Sequence, residues 1–260
     1  MPESVAQAWI EGVGALRGDS EVRERIASWR GWTPELIRTL AEDGQMGLPD
    51  YRGRRLIAFR VEAPLAQDFG VYGRWFSTTQ VGWHVRMKPN KGEKAQWRFM
   101  PNQREHSVSC SSVPFVLGDF STAKLLVITE GQWDCITFAH GAGWLSHDAA
   151  WPDGICCLGI RGADGVKAFL RTYDPYWPPD LKCLLLPDSD AAGCRWFERQ
   201  DSSNGTFSDL LAERCAAVRV ETVRGAKDFN EAWKHGLVRH ADIAALMMEA
   251  GFVGGNGAVK

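Results

Sequence analysis

The sequence predicts an α/β protein in which a parallel β-sheet is flanked by helices and a smaller α+β segment precedes the sheet. Residues 125–129 and 181–186 are short, nearly continuous apolar runs, and each leads into acidic residues and a helix-like segment. Such runs are typical of strands that are buried on both faces, as in parallel sheets. Alternation of apolar and polar residues before position 100 indicates a separate set of strands.

The composition indicates a folded protein without a membrane segment. Of the 260 residues, 45% are hydrophobic, and the formal net charge is -2. Any contact with nucleic acid must therefore come from local basic patches. No apolar run is long enough to span a bilayer, and no stretch has the features of a secretory signal. Seven cysteines without metal-finger spacing predict buried thiols in a reduced, cytoplasmic protein.

The first two segments of the chain differ in pattern. Residues 1–50 have apolar positions three to four apart and predict a helical lead-in, in which Thr33 caps a helix with Pro34 in its first turn. Residues 51–118 predict a small basic α+β subdomain that ends in a loop over 101–118. Its strands are predicted at residues 54–61, 70–76 and 83–88.

The remaining two segments alternate between strand and helix patterns. Residues 119–235 predict the domain that holds the parallel sheet, with further strands at 154–159 and 218–223. Residues 236–260 predict a last helix followed by a flexible Gly-rich tail.

Acidic residues stand where the two apolar runs end. Glu130 directly follows the first run, and Asp134 comes one helical turn later, so both carboxylates can face the same space. Asp188 and Asp190 follow the second run, and their spacing lets them surround one cation. Open α/β sheets bind ligands at the carboxyl ends of their strands, and carboxylate oxygens suit Mg²⁺. We therefore expect a divalent-metal site at this edge of the sheet.

Three short motifs, in this order along the chain, resemble those of the Toprim domain. They are Glu130-Gly-x-x-Asp134, Asp188-x-Asp190-x-x-Gly193 and Lys227-Asp228-x-Asn230. The Toprim domain is shared by bacterial-type primases, topoisomerases and some nucleases, and the version here most resembles primases of bacterial, phage and plasmid origin. The resemblance covers roughly residues 119–235. It implies Mg²⁺ or Mn²⁺ as cofactor and two overlapping sets of acids: Glu130, Asp188 and Asp190 as catalytic residues, and Glu130, Asp134, Asp188, Asp190 and Asp228 as metal ligands.

Residues 51–118 resemble the small mixed subdomain of primase cores, because Gly53-Arg54 and Gly73-Arg74 follow the order found there. The segment is rich in cations that can hold phosphate oxygens, and we expect it to face the acidic site. The predicted nucleic-acid or nucleotide ligands are Arg54, Arg55, Arg74, Lys88, Lys94, Arg98 and, from the last motif, Lys227. Unstacked bases are expected to rest on Trp75, Trp83 or Trp97. The alternative is an ordinary solvated face of an antiparallel sheet with its aromatics in the core.

The resemblance implies a primase-type nucleotidyltransferase that makes short primers on single-stranded DNA from nucleoside triphosphates during DNA replication. No Cys-x-x-Cys pair and no phosphate-cradling Gly-x-x-x-x-Gly-Lys loop occur. A replicative helicase or a zinc module is therefore expected as a partner, in a phage or mobile-element context. Two alternatives use the same residues: a metal-dependent Toprim nuclease, and a non-catalytic accessory that binds single strands.

Overall fold

A computed structural model of the protein describes residues 2–68, 74–87, 96–101, 113–146, 150–162, 165–173, 177–178, 180–198 and 205–251. The chain divides into two compact units. The first consists of Met1–Phe115, Leu145–Asp148 and Asp164–Tyr176, and the second of Val116–Trp144, Ala149–Ala163 and Trp177–Lys260. The four segment limits predicted from the sequence stay predictions.

Three helices open the first unit, as the apolar spacing predicts. They are α1 (Pro2–Gly18), α2 (Ser20–Arg30) and α3 (Pro34–Glu42). The Asp19 side chain accepts a hydrogen bond from the first turn of α2, and Gly31 ends that helix in the left-handed conformation. Thr33 Oγ1 accepts the backbone N–H of Leu36 at 3.2 Å, so the predicted cap is confirmed.

The first unit also contains a four-stranded antiparallel sheet. Its strands, in spatial order, are β1 (Met46–Gly47), β2 (Ala58–Asp68), β3 (Arg74–Met87) and β4 (Gln96–Pro101). The predicted start of β2 at residue 54 is wrong by four residues. Tyr51 and Arg54 exchange backbone hydrogen bonds, and Leu56 N donates to Pro49 O, so this stretch is a turn and its backbone groups are already used.

The strands predicted at 70–76 and 83–88 are one strand. β3 pairs with β2 from Asp68↔Arg74 to Ala58↔Val85, with a register shift at Val61/Glu62. Gly82 lies within β3. Its backbone is so close to β4 that a Cβ at this position would stand 2.2 Å from Met100 O, so no larger residue fits there. Glycine at this position therefore allows a close approach of the two strands inside the sheet. Residues 70–73 and 88 lie outside the described residues.

The second unit is built on a mainly parallel sheet, so the predicted fold class is confirmed. Its strand order is β5-β7-β6-β8-β9, with parallel pairing among the last four. The strands are β5 (Phe115–Gly118), β6 (Leu125–Thr129), β7 (Ile155–Gly159), β8 (Lys182–Leu186) and β9 (Ala217–Val220). β6 and β7 are buried at every residue, which explains their continuous apolar sequences. The region 101–118 was predicted as a loop, but its buried end forms β5.

Helices accompany this sheet. They are α4 (Gln132–Gly141), α6 (Ala191–Cys194), α7 (Phe207–Ala212), α8 (Phe229–Lys234) and α9 (His240–Glu249), while α5 (Val166–Tyr173) groups with the first unit. α4 directly follows β6 and is buried at nearly every position. Within the ranges given above, none of the helices combines the length and the apolar character that a bilayer crossing requires.

Candidate metal and phosphate site

Two neighbouring strands bring their acidic ends to the same edge of the sheet. β6 and β8 are parallel and in register, with Thr129 opposite Leu186. Glu130 therefore leaves the sheet beside the segment that carries Asp188. The turn after β6 is held by the Thr129 hydroxyl, which lies 2.9 Å from Gly131 O and 3.2 Å from a carbonyl of β7. Local pairing thus places the two predicted acidic turns side by side.

The turn after β8 is tightly constrained. The Asp190 carboxylate caps α6 by accepting the backbone N–H groups of Ala192 at 2.9 Å and Gly193 at 3.1 Å. A Cβ at Gly193 would stand 2.0 Å from the carbonyl oxygen of Asp188. Only glycine lets α6 begin this close to Asp188. Ser189 donates its backbone N–H to Lys227 O at 2.7 Å, which joins this turn to the third motif.

One cation stands between the two carboxylates of this turn. Lys227 Nζ lies 3.3 Å from Asp188 Oδ2 and 3.6 Å from Asp190 Oδ2. Asp188 is only 8% exposed, whereas the Lys227 side chain is 59% exposed. The two carboxylates are therefore close enough to share a single positive charge.

The electrostatics of the site differ between its two aspartates. Burial raises the pKa of Asp188 to about 6, and the charges of Asp228 and Asp190 act in the same direction, while Lys227 opposes them. The pKa of Asp190 is lowered, mainly by the hydrogen bond that its carboxylate accepts from Gly193 N–H. The hydrogen bond from Ala192 N–H and the charge of Lys227 lower it further, while burial raises it. Asp190 is thus the more acidic partner, and Asp188 becomes charged only near neutral pH.

Lys227 responds to the same charges. Burial disfavours its ammonium form, but the attraction of Asp188, Asp190 and Asp228 outweighs that effect and raises the pKa of Lys227. Lys227 therefore stays protonated, and its ammonium group can bind either carboxylates or phosphate oxygens.

Asp134 and Asp228, like Asp190, accept backbone hydrogen bonds. Asp134 Oδ1 accepts the backbone N–H of Asn230 at 2.9 Å and is buried. Asp228 Oδ1 accepts the backbone N–H of Glu231 at 2.8 Å and caps α8. In the part of the chain that the structure describes, no group of three or more His, Cys, Asp or Glu side chains is close enough to hold a metal ion. A metal role stays a prediction for all five acids: Glu130, Asp134, Asp188, Asp190 and Asp228.

Asp188 and Asp190 by themselves fit Mg²⁺ or Mn²⁺. Mg²⁺ in enzymes is usually held by one or two carboxylates, with waters and substrate phosphates completing its octahedral shell. The pair supplies hard oxygen ligands, and the position of Lys227 Nζ shows that a cation fits next to both carboxylates.

The predicted basic ligands are only partly described. Arg54 and Arg55 are exposed, and Arg98 is exposed with Nη1 donating to the Tyr51 hydroxyl at 3.1 Å. Lys88 and Lys94 lie outside the described residues, and only the backbone of Arg74 is described. That these cations face the acidic site stays a prediction.

The aromatic residues predicted to stack on bases have different surroundings. Trp83 is 1% exposed and packs in one hydrophobic cluster with Trp9, while its Nε1 donates to Val5 O at 3.2 Å. No base can reach it, so that prediction is wrong, and Trp83 is a core residue. Trp97 stacks on His84 with a centroid separation of 4.8 Å. The side chain of Trp75 is outside the described part of the structure.

No protein-family model matches the sequence, and no curated protein matches it. The chain is similar to the primase fragment of the bacteriophage T7 primase-helicase protein, with 19% identity and a TM-score of 0.46 over 86% of this chain and 72% of that chain. It is also similar to a structure of bacteriophage T7 lagging-strand DNA polymerase interacting with primase domains of two gp4 subunits bound to an RNA/DNA hybrid and dTTP. That similarity has 20% identity and a TM-score of 0.47 over 82% of this chain and 86% of that chain. The Toprim assignment stays a prediction from the motifs.

Asn230, the last residue of the third motif, connects α8 to α4. Its Nδ2 donates to Thr137 Oγ1 at 2.8 Å, and the residue is 4% exposed. We expect Asn230→Ala to lower the free energy of unfolding by about 1–2 kcal/mol, because a buried hydrogen bond is lost. Chemical denaturation measures this loss. Lys234→Ala, at an exposed position of the same helix, is the control and is expected to change stability by less than about 0.5 kcal/mol; equal effects would contradict the prediction.

Lys227→Met is expected to raise the pKa of Asp188 further, because the opposing positive charge is removed. The change can be followed by NMR titration of the aspartate carboxyl carbons. Lys234→Met removes an exposed charge of the same type and is expected to leave that titration unchanged. An unaltered Asp188 titration in Lys227→Met would show that the ammonium does not act on this carboxyl.

Proposed function

We propose that the chain is a divalent-metal-dependent nucleotidyltransferase of the primase type. The observation that carries this proposal is the pair of carboxylates, Asp188 and Asp190, that shares one cation at the carboxyl edge of a parallel sheet. Parallel α/β sheets bind their ligands at this edge. Paired aspartates beside an exposed lysine suit phosphoryl transfer, in which positioning and charge neutralisation supply most of the catalysis.

Each residue of the site has a part in the proposed reaction. Asp188 and Asp190 would hold the metal, which when bound would neutralise the triphosphate and make the attacking hydroxyl more acidic. Lys227 releases the carboxylates and binds triphosphate oxygens. Glu130 takes the proton of the primer 3′-hydroxyl. The hydroxyl oxygen then forms a bond to the α-phosphorus, and the bond from that phosphorus to pyrophosphate breaks.

The proposed substrates are nucleoside triphosphates and a single-stranded DNA template. The exposed cations of the first unit, Arg54, Arg55 and Arg98, are proposed to hold template phosphates. A replicative helicase or a zinc module is proposed as the partner that brings the template, in a phage or mobile-element replication system.

The test is a primer-synthesis assay with purified protein, single-stranded DNA, labelled ribonucleotides or deoxynucleotides, and Mg²⁺ or Mn²⁺. Short labelled products that disappear in Asp188→Ala are the expected result. Degradation of the DNA without added nucleotides would instead assign a nuclease. Strand binding with neither activity would assign an accessory protein, and synthesis that persists in Asp188→Ala would overturn the proposed site.

A further inference from the structure

Two cysteines of the second unit bring their sulfur atoms close together. Cys183 lies near the start of β8, and Cys215 lies in the turn between α7 and β9. Both thiols are free, and their Sγ atoms are 3.3 Å apart. The S–S distance in a disulfide is about 2.05 Å, so an approach of about 1 Å would join the two atoms. Because Cys215 lies outside the strands, that movement need not change the pairing of β8 with β9.

The two thiols differ in how easily a reagent in solution can reach them. Cys183 is 2% exposed, whereas Cys215 is only partly buried. Cys215 can therefore react first, with Cys183 beside it as a second thiol. An accessible cysteine next to a resolving cysteine is typical of redox-sensitive pairs. Cys135 and Cys157 are also neighbours, but both are fully buried, so a reagent cannot reach them.

The hydrogen bond between the two thiols separates their acidities. It is the main cause that lowers the pKa of Cys215, and the charge of Arg214 acts in the same direction, while burial opposes both. The same hydrogen bond, together with burial, raises the pKa of Cys183. Cys215 is therefore the thiol of the pair that ionises first. The thiolate is the nucleophilic form of cysteine, so acidity and exposure favour reaction at the same sulfur.

A bond between these cysteines would act on the least buried strand of the parallel sheet. β9 stands at the end of the strand order, next to β8, and none of its residues is fully buried. Strands with few buried residues open more easily than the core of a sheet. Cys215 comes shortly before β9, and Cys183 belongs to β8. A covalent bond between them would tie the edge of the sheet to its neighbouring strand.

We propose that Cys215 and Cys183 form a redox-modification site, at which a peroxide converts the two thiols into a reversible disulfide. The Cys215 thiolate attacks one oxygen of hydrogen peroxide, the O–O bond breaks, and the leaving hydroxide is protonated by solvent. The Cys183 sulfur then attacks the sulfenic sulfur of Cys215, the S–O bond breaks, and the leaving hydroxide takes the Cys183 proton to form water. The thiols together lose two electrons, which the peroxide gains. A dithiol reduces the bond again by thiol–disulfide exchange.

The test is treatment of the full chain with hydrogen peroxide, followed by alkylation of the remaining thiols in acid and peptide mapping by mass spectrometry. Free thiols are counted after unfolding. We expect their number to fall by two from the seven of the reduced chain, with the Cys183 and Cys215 peptides joined, and dithiothreitol to restore all of them. An unchanged thiol count, a bond between two chains, or a bond between another pair such as Cys135 and Cys157 would overturn the proposal.

Three variants assign the role of each sulfur. Cys215→Ser is expected to keep all of its remaining thiols at the same peroxide concentration. Cys183→Ala is expected to stop at the sulfenic acid of Cys215, which a 1,3-diketone probe labels. Cys194→Ser removes another partly buried thiol and is expected to form the bond normally. Equal loss of thiols in Cys215→Ser and Cys194→Ser would contradict the assignment.

The peptide map of the unchanged protein decides the proposal even where a variant fails to fold. All of these measurements detect covalent bonds, so their outcome is independent of primer synthesis.

Discussion

Asp188→Asn is expected to reduce primer synthesis by about a thousandfold. The substitution keeps the size of the side chain but removes a negative charge at the point where two carboxylates share one cation. A bound metal ion supplies several kcal/mol of charge stabilisation in phosphoryl transfer, and about 4 kcal/mol corresponds to a thousandfold change in rate. Initial rates at saturating template and nucleotide measure the loss.

The matched control for this substitution is Asp153→Asn. Asp153 is an exposed aspartate in the turn before β7, so its charge can be removed without touching the site. We expect its rate to equal that of the unchanged protein. Because Asp188 is buried and its pKa is raised, Asp188→Asn is also expected to fold normally. A folded Asp188→Asn protein with a normal rate would contradict the metal assignment.

The pH dependence of the same site provides a second measurement on Asp188. The pKa of this carboxyl is about 6 in the folded protein, above its ordinary value of 3.8, and metal binding requires the charged form. Synthesis is therefore expected to rise with pH, with a midpoint that lies at or below about pH 6 and moves to lower pH as the metal concentration is raised, because metal and proton compete for the carboxylate. Without metal, the folded protein binds this proton more tightly than the unfolded chain does. The contribution of Asp188 to stability is therefore full below about pH 4 and is lost as pH rises to about 6; Asp188→Asn is expected to lack this dependence.

Gly193→Ala is expected to cost about 3 kcal/mol of folding stability and to abolish synthesis. A Cβ there would stand 2.0 Å from the carbonyl oxygen of Asp188 and 2.7 Å from its backbone N and C atoms. The obstacle is backbone rather than the end of a flexible side chain, so the Asp188–Asp190 turn must move. Overpacking of this kind costs about 1–3 kcal/mol, and the tight fit places this position at the upper end.

Gly14→Ala is the control for that substitution. Gly14 lies inside α1, and a Cβ there would meet nothing within 4 Å. Because alanine favours a helix over glycine, we expect Gly14→Ala to stabilise the protein by up to about 1 kcal/mol. Thermal unfolding and synthesis rates of both variants are to be compared. Gly193→Ala with unchanged stability would show that the turn adapts and does not depend on glycine.

Patterns that act over a few residues were predicted well. The buried strands β6 and β8 follow from their apolar runs, and the cap at Thr33 follows from its position before Pro34. Strand limits and side-chain burial were predicted wrongly where they depend on contacts with a segment far away in sequence. β3 stays one strand because β2 pairs with it from Arg74 to Val85. Trp83 is buried because it packs against Trp9 of a helix far away in sequence.

In the candidate site, too, the local motifs were predicted from the sequence and the contacts between distant residues were not. The motifs pointed to Asp188, Asp190 and Lys227, but the sequence could not show that the ammonium lies between the two carboxylates. The metal role of Asp134 that the Toprim resemblance implies stays a prediction, and the sequence could not show that its carboxylate accepts the backbone N–H of Asn230. The first unit also has a cavity of about 740 Å³ that α2 lines with Val22, Arg25, Ile26 and Trp29. It was not predicted, although the spacing of these residues on the helix was a signal.

The sequence by itself determined the α/β class, the strands of the parallel sheet and the identity of the acids at their ends. It could do so because strand burial and turn chemistry depend on neighbouring residues. Only the tertiary structure decided which of those acids share a cation, which cap or brace a helix, and which arginines line a cavity. Those outcomes depend on distances between residues far apart along the chain, such as 188 and 227, and packing alone sets such distances.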